Sequence, residues 1–203
     1  MLQLVDAAMT LALLAAADAS AMDTDATYGR IDGDSALAVS VGAAIDVRGV
    51  RGALDVRYRY IQSAGLFLTY EEGFGAGAEP MRLGVCGLEL RPLFLLRFLQ
   101  GQELGIPRLD LLIDSIAVEL GPFVAQPTGG NFGDVIGLSL GLGAELPLLP
   151  RAKGPFIAVR AALRWSREAL SAADTTSVDV RAFVVTVAFG WQGIFGSGVV
   201  DLR

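Results

Sequence analysis

Ten charged residues of this chain sit at strand spacing among apolar neighbours: Asp46, Asp55, Arg57, Arg59, Glu89, Arg91, Glu119, Glu145, Arg160 and Arg164. Carboxylates and guanidinium groups in such a setting can do acid/base or ion-conducting work, or they can neutralise one another, because an Arg fork removes much of the cost of burying a carboxylate alone. The catalytic version has little to draw on. The sequence contains no histidine, which removes Ser-His hydrolysis, imidazole acid/base chemistry and most transition-metal sites together. Asp110 and Asp114 form a candidate carboxylate pair. On a strand, however, they would lie about 13 Å apart at roughly 3.3 Å per residue, too far to share one bond. GFGAG at 73–77 and GIFGSG at 193–198 look like phosphate loops but lack the following Lys-Ser/Thr and a convincing helix. Cys86 is the only cysteine, so there is no disulfide framework and no thiolate metal site. We therefore expect no catalytic, cofactor-binding or metal residues, and no enzyme. The expected network of Arg–carboxylate pairs fills an interior, its functional version being a narrow polar pore gated by those pairs.

The elements that must position these charges are strands. Residues 135–165 give the clearest pair: Ile136, Leu138, Leu140, Leu142 and Leu146 alternate with Gly137, Ser139, Gly141, Gly143 and Glu145, a period of two. After the turn residues Pro150–Gly154, Ile157, Val159, Ala161, Leu163 and Trp165 alternate with Ala158, Arg160, Ala162 and Arg164. The water-facing side of a soluble sheet is normally rich in Lys, Thr, Glu and Gln. Here the polar side is Gly, Ala and Ser with an occasional Arg or Glu, which suits the crowded interior of a small closed barrel. The continuous apolar side suits lipid, with aromatics near the headgroups. This reading makes Leu138, Leu140, Leu142, Ile157, Val159, Leu163, Trp165, Val185, Val187 and Phe189 lipid-facing. Tyr58, Tyr60, Tyr70 and Trp191 join the girdle and core aromatics.

Composition agrees. The 203 residues are enough for one domain, 53% of them are hydrophobic and the mean hydropathy is +0.51. Yet no apolar run reaches the 18 or so residues of a helical span, leaving the weaker strand-by-strand membrane signal. The net charge is −6, with Lys153 the sole lysine beside fifteen Arg, so there is no basic footprint for nucleic acid.

In chain order, AAMTLALLAAA at 7–17 followed by Ala19-Ser20-Ala21 fits a secretory signal over 1–21, although no basic residue precedes it. Residues 22–35 are a polar lead-in whose Asp23, Asp25, Asp32 and Asp34 lack the spacing of an EF-hand. The barrel is expected over 36–192 and a tail over 193–203. Its first strand starts at Ala36, with a turn at Gly49–Gly52. Residues 53–72 are too long for one crossing of about 9 to 11 residues; they form either one projecting strand or two strands about a turn at Gln62–Ala64. A loop at 73–80 leads to a strand at 81–91 with a phase slip near Cys86 and Gly87. Leu93, Leu96 and Leu99 with Phe94 and Phe98 at helical spacing make 92–108 a short apolar helix or interfacial segment. A strand at 109–124 follows, with a second slip before Glu119 and then a loop from Pro127. Residues 167–177 read as a polar loop and 178–191 as the last strand. Seven segments are clear, and bacterial barrels use even numbers, so the count is set at eight. The turns near 63 and 151 and the segment 92–108 then lie at the periplasmic end, and the loops near 50, 76, 130 and 172 at the other.

On this pattern, which includes SLGLGAEL and AVRAALRW, residues 36–192 resemble the small eight-stranded outer-membrane barrels of Gram-negative bacteria, in the manner of the OmpA transmembrane domain and OmpX. Such barrels typically finish on a terminal aromatic, whereas here Gly190-Trp191-Gln192 is followed by GIFGSGVVDLR. The resemblance implies an all-β, antiparallel up-and-down transmembrane barrel in an outer membrane, with a structural or surface role or a narrow channel. Its partner would be the lipid bilayer, lipopolysaccharide included, with no cofactor and an open oligomeric state. The alternative is a soluble periplasmic barrel of lipocalin type whose apolar face lines a ligand cavity. A third arrangement is an oligomeric scaffold whose apolar faces meet between subunits.

Overall fold

The computed structural model describes residues 28–74, 79–171 and 181–196. The expected signal segment lies outside these residues, as does most of the expected tail. Eight antiparallel strands close in sequence order into a barrel: β1 (Ser35–Asp46), β2 (Gly49–Tyr60), β3 (Ala64–Glu72), β4 (Arg82–Leu90), β5 (Ala117–Gln126), β6 (Val135–Pro147), β7 (Gly154–Ser166) and β8 (Arg181–Phe195). Among the described residues three helices accompany them: α1 (Pro92–Gln100), α2 (Pro107–Asp114) and α3 (Arg167–Ser171). No described helix is long and apolar enough to cross a membrane.

The register fixes the shape of the barrel. Following one row of partners leads from Ser35 to Tyr60, Ala64, Leu90, Val118, Leu142, Ala161 and Val185, then back to β1 at Ile45. One circuit thus climbs ten residues. At about 3.3 Å per residue and about 4.8 Å between strands, that stagger tilts the strands by about 40° from the barrel axis.

Several boundaries differ from the sequence reading, each for a local reason. The 53–72 segment is two strands, because Ile61 and Gln62 take positive φ and Ser63 closes back on Tyr60. The first hairpin turns at Val47-Arg48, with Asp46 opposite Gly49, so Gly49–Gly52 belongs to β2. Neither phase slip exists. β4 and β5 pair in one unbroken register, and the odd residues of both point inward throughout. The slips were apparent only because Leu83, Val85, Phe123 and Ala125 are apolar residues on the inner face, where they form a cluster with Phe67. The strand expected at 109–124 begins at Ala117, and its first residues belong instead to α2. Pro107 starts that helix with a fixed φ and no N–H to waste. Residues 167–171 form α3 in place of loop, and β8 runs to Phe195, so the barrel extends three residues beyond its expected end and finishes on an aromatic.

Small residues are required where strands press together. A Cβ added at Gly121 would lie 2.1 Å from the Cys86 carbonyl oxygen and 2.7 Å from Gly87 Cα, against backbone that cannot swing aside. At Gly84 the added atom would meet only side-chain atoms, no nearer than 3.5 Å. Gly121→Ala is expected to destabilise the barrel by about 1–3 kcal/mol through overpacking, and Gly84→Ala far less. Urea unfolding midpoints of the two variants check this.

Candidate functional site

Polar residues inside and apolar residues outside make this barrel the inverse of a soluble one. All ten charged residues singled out from the sequence turn their side chains inward, and nine of them are buried residues, with the Asp46 side chain itself only 1% exposed. Of the expected lipid-facing set, Leu140, Leu142, Ile157, Val159, Leu163, Val187 and Phe189 are exposed on the outer face, while Leu138, Trp165 and Val185 are half-buried there. An apolar face lining a ligand cavity, as in a lipocalin, is not the arrangement this chain adopts.

The interior charges form connected groups. In the middle of the barrel Arg57 donates to Asp55 at 2.6 Å, to Glu89 at 2.5 Å and to Glu119 at 2.6 Å. Arg59 reaches Glu89 at 2.8 Å, Glu145 at 2.5 Å and the Gln192 side-chain oxygen at 2.7 Å. Arg91 bridges Glu89 and Glu145 from below, at 2.9 and 2.6 Å. Arg160 sits 3.0 Å from Glu145 and 3.4 Å from both Asp55 and Glu119. Four arginines therefore meet four carboxylates and the group is neutral. Charges of both signs pair with one another at close range across the middle of the barrel. Glycines on the inner face leave room for them: a Cβ at Gly143 would come within 2.8 Å of a Glu119 carboxylate oxygen and 3.3 Å of Arg160 Cγ.

A second neutral group lies toward the loop mouth, the end of the barrel at which β1, β3, β5 and β7 finish. There Glu71 accepts from Arg51 at 3.0 Å and from both amino groups of Arg164, at 2.5 and 3.0 Å, while Arg51 also donates to Asp46 at 2.8 Å. Sequence reasoning missed Arg51 and Glu71. Arg51 falls within Gly49–Gly52, which reads as a turn in the sequence. Glu71 could have been found, since it keeps the inward parity of Gly65 on β3.

The opposite, terminal mouth is covered by α1, α2 and the segment from Tyr28 to Asp34. Asp110 and Asp114, one helical turn apart on α2, are both buried. Arg97 of α1 pairs with Asp110 and, at 2.7 Å, with Asp114, while Arg30 pairs with Asp114 and Glu103. The Tyr28 hydroxyl donates to Asp110 at 3.2 Å, and the Ala152 N–H of the β6–β7 turn donates to the Tyr28 carbonyl at 2.9 Å. This corrects the strand placement of the two aspartates. They do share a face, but as anchors for arginines, and Asp-x-x-x-Asp after a proline was the signal for it. Phe94, under the Arg30 guanidinium at 5.8 Å from its ring centre, is the one fully buried side chain of α1.

Burial works to raise the Asp110 carboxyl, but the Leu104 N–H, the Arg97 guanidinium and the Tyr28 hydroxyl prevail and hold it below the usual carboxylate range. A depressed folded value means that its stabilising contribution is complete above the unfolded value of about 3.9 and is lost as pH falls through the depressed one. The cover is therefore expected to keep its hydrogen-exchange protection from pH 8 to 5 and to lose it only in stronger acid. Loss of protection in α2 already between pH 7 and 5 would contradict this linkage.

Among solved structures, the barrel is similar to the N-terminal β-barrel domain of Pseudomonas aeruginosa OprF, at 10% identity and a TM-score of 0.46 over 79% of this chain and 98% of that one. It is also similar to Acinetobacter baumannii CarO2, at 13% identity and a TM-score of 0.42 over 77% and 99%. A third similar structure is Yersinia pestis Ail in complex with the heparin analogue sucrose octasulfate, at 11% identity and a TM-score of 0.36 over 78% and 96%. No family model matches the chain, and no curated protein matches it in sequence.

Proposed function

We propose that this chain is a non-enzymatic outer-membrane β-barrel with a structural or surface role, its lumen closed by Arg–carboxylate pairs. The observation that carries the reading is the inside-out distribution of polarity on a closed barrel. Leu66, Leu68, Leu88, Leu142 and Phe189 each stand more than half exposed on the outer face, while four arginines and four carboxylates neutralise one another within. A belt of large apolar side chains around a sheet with no open edge suits hydrocarbon, where every backbone group must be satisfied within the protein. The outer-leaflet lipid, including lipopolysaccharide, is the partner proposed for that belt. The barrel's aromatic residues on outward parity, Tyr58, Tyr70 and Trp165 among them, suit the headgroup level.

Cell fractionation followed by gel mobility with and without boiling tests this. The expected result is a band in the outer-membrane fraction that migrates differently after heating, together with negligible conductance in planar bilayers. A soluble, heat-indifferent protein would overturn the membrane assignment, and discrete conductance steps would replace the closed lumen by a narrow channel.

A further inference from the structure

We propose that the cavity at the loop mouth binds a small amphipathic anion: an apolar ring or short chain bearing a single carboxylate. This cavity of about 350 Å³ lies above the Arg51–Glu71–Arg164 group and falls in the size range of small-molecule sites. Its wall on the β4–β5–β6 side is apolar, built by Leu83, Phe123, Ala125 and Val135, a surface that water wets poorly and an apolar body would cover.

Three arginines balance three carboxylates in the lining, so spare hydrogen-bond donors, and not net charge, favour an anion. Three carboxylates border the cavity, and each is committed. Asp46 accepts from Arg51 and from the Arg48 N–H, Glu79 from the Thr128 N–H and hydroxyl, and Asp134 from the Asn131 N–H. The donors are not all spent. Arg164 is 6% exposed, and its Nε has no hydrogen-bond partner among the described residues. The Arg48 guanidinium makes no ion pair among them either, although it borders the same cavity. The Arg48 guanidinium, with N–H groups to spare beside an apolar wall, matches a carboxylate attached to an apolar body. The site lies inside the barrel wall, so it does not depend on what surrounds the barrel.

The test uses two probes of one shape, 4-(trifluoromethyl)benzoate and 4-(trifluoromethyl)benzylamine. Each is titrated by ¹⁹F NMR against the full chain in detergent micelles and against protein-free micelles, with heat-dependent gel mobility confirming that every variant is a closed barrel. The expected result is saturable binding of the benzoate alone, weakened at least tenfold by Arg48→Gln and abolished by Val135→Trp, which fills the cavity. Ala182→Phe narrows the cavity from the opposite wall and replaces Val135→Trp if that variant does not close. Four results would overturn the proposal: no saturable binding beyond the micelle, benzylamine binding as tightly, benzoate binding unchanged by Arg48→Gln, or benzoate binding that survives filling of the cavity.

Discussion

Replacing Glu89 by Leu is expected to destabilise the barrel by about 3–5 kcal/mol, the cost of breaking a buried ion network from one side. Glu89 accepts from Arg57, Arg59 and Arg91 and is 1% exposed. Its loss leaves three guanidinium groups sharing the remaining carboxylates and converts a neutral group into one with a net positive charge. Glu145→Leu is expected to act in the same direction, because Glu145 joins Arg59, Arg91 and Arg160. Glu72→Leu provides the contrast. Glu72 meets Arg82 at 3.2 Å where the Arg side chain is 52% exposed, and pairs of that kind contribute at most about 1 kcal/mol. Urea unfolding of the three variants, followed by tryptophan fluorescence, ranks them. Equal stability of Glu89→Leu and Glu72→Leu would show that the interior charges are hydrated individually and that the network is not a plug.

The second large effect is on the outer face. Leu140→Arg and Val159→Arg are each expected to cost about 2–4 kcal/mol of stability in the membrane if they stand near the midplane, whereas Ile45→Arg, beside the first hairpin turn at the loop mouth, is expected to cost only about 0–1. All three residues are exposed, at 42%, 49% and 45%, so burial within the chain predicts no difference among them. Only depth in hydrocarbon separates them. Reversible unfolding in lipid vesicles measures the series. Uniformly small costs would exclude lipid, and a large cost at Ile45 as well would point to a subunit interface that reaches the barrel rim.

The sequence was informative wherever one strand carried a complete alternation. β1, β6, β7 and β8 set mostly small or polar residues on one side and mostly large apolar residues on the other, so their facing could be read directly. β4 and β5 could not be read this way, because the inner face changes character along the barrel. It is charged at Glu89 and Glu119 and apolar at Leu83, Val85 and Phe123. A rule that equates polar with inward must then invent a slip. The cover was misread for a related reason. Leu109, Leu111 and Ile113 alternate like a strand, and the spacing of four between Asp110 and Asp114 carries the helical signal only once Pro107 is taken as a helix start. Arg51 and Glu71 were lost at the ends of strands, where turn and strand chemistry overlap. The partners of the buried charges were not legible at all. Which Arg meets which carboxylate depends on the ten-residue stagger of the closed barrel, and no local pattern encodes that.

The cross-lumen pairing also bears on how such a barrel can be made. Arg57 on β2 finds Glu119 on β5, Arg59 on β2 finds Glu145 on β6, and Arg164 on β7 finds Glu71 on β3. A hairpin of β2 and β3 entering hydrocarbon alone would keep Arg57 with Asp55 but carry Arg59 without Glu89 or Glu145, a burden of several kcal/mol for an unpaired ion. That burden eases once β4 brings Glu89 to Arg59, while Glu119 and Glu145 of the later strands need Arg57, Arg59 and Arg160 in their turn. In a membrane, strands whose charges find their partners only on other strands are therefore expected to match those charges before they cross.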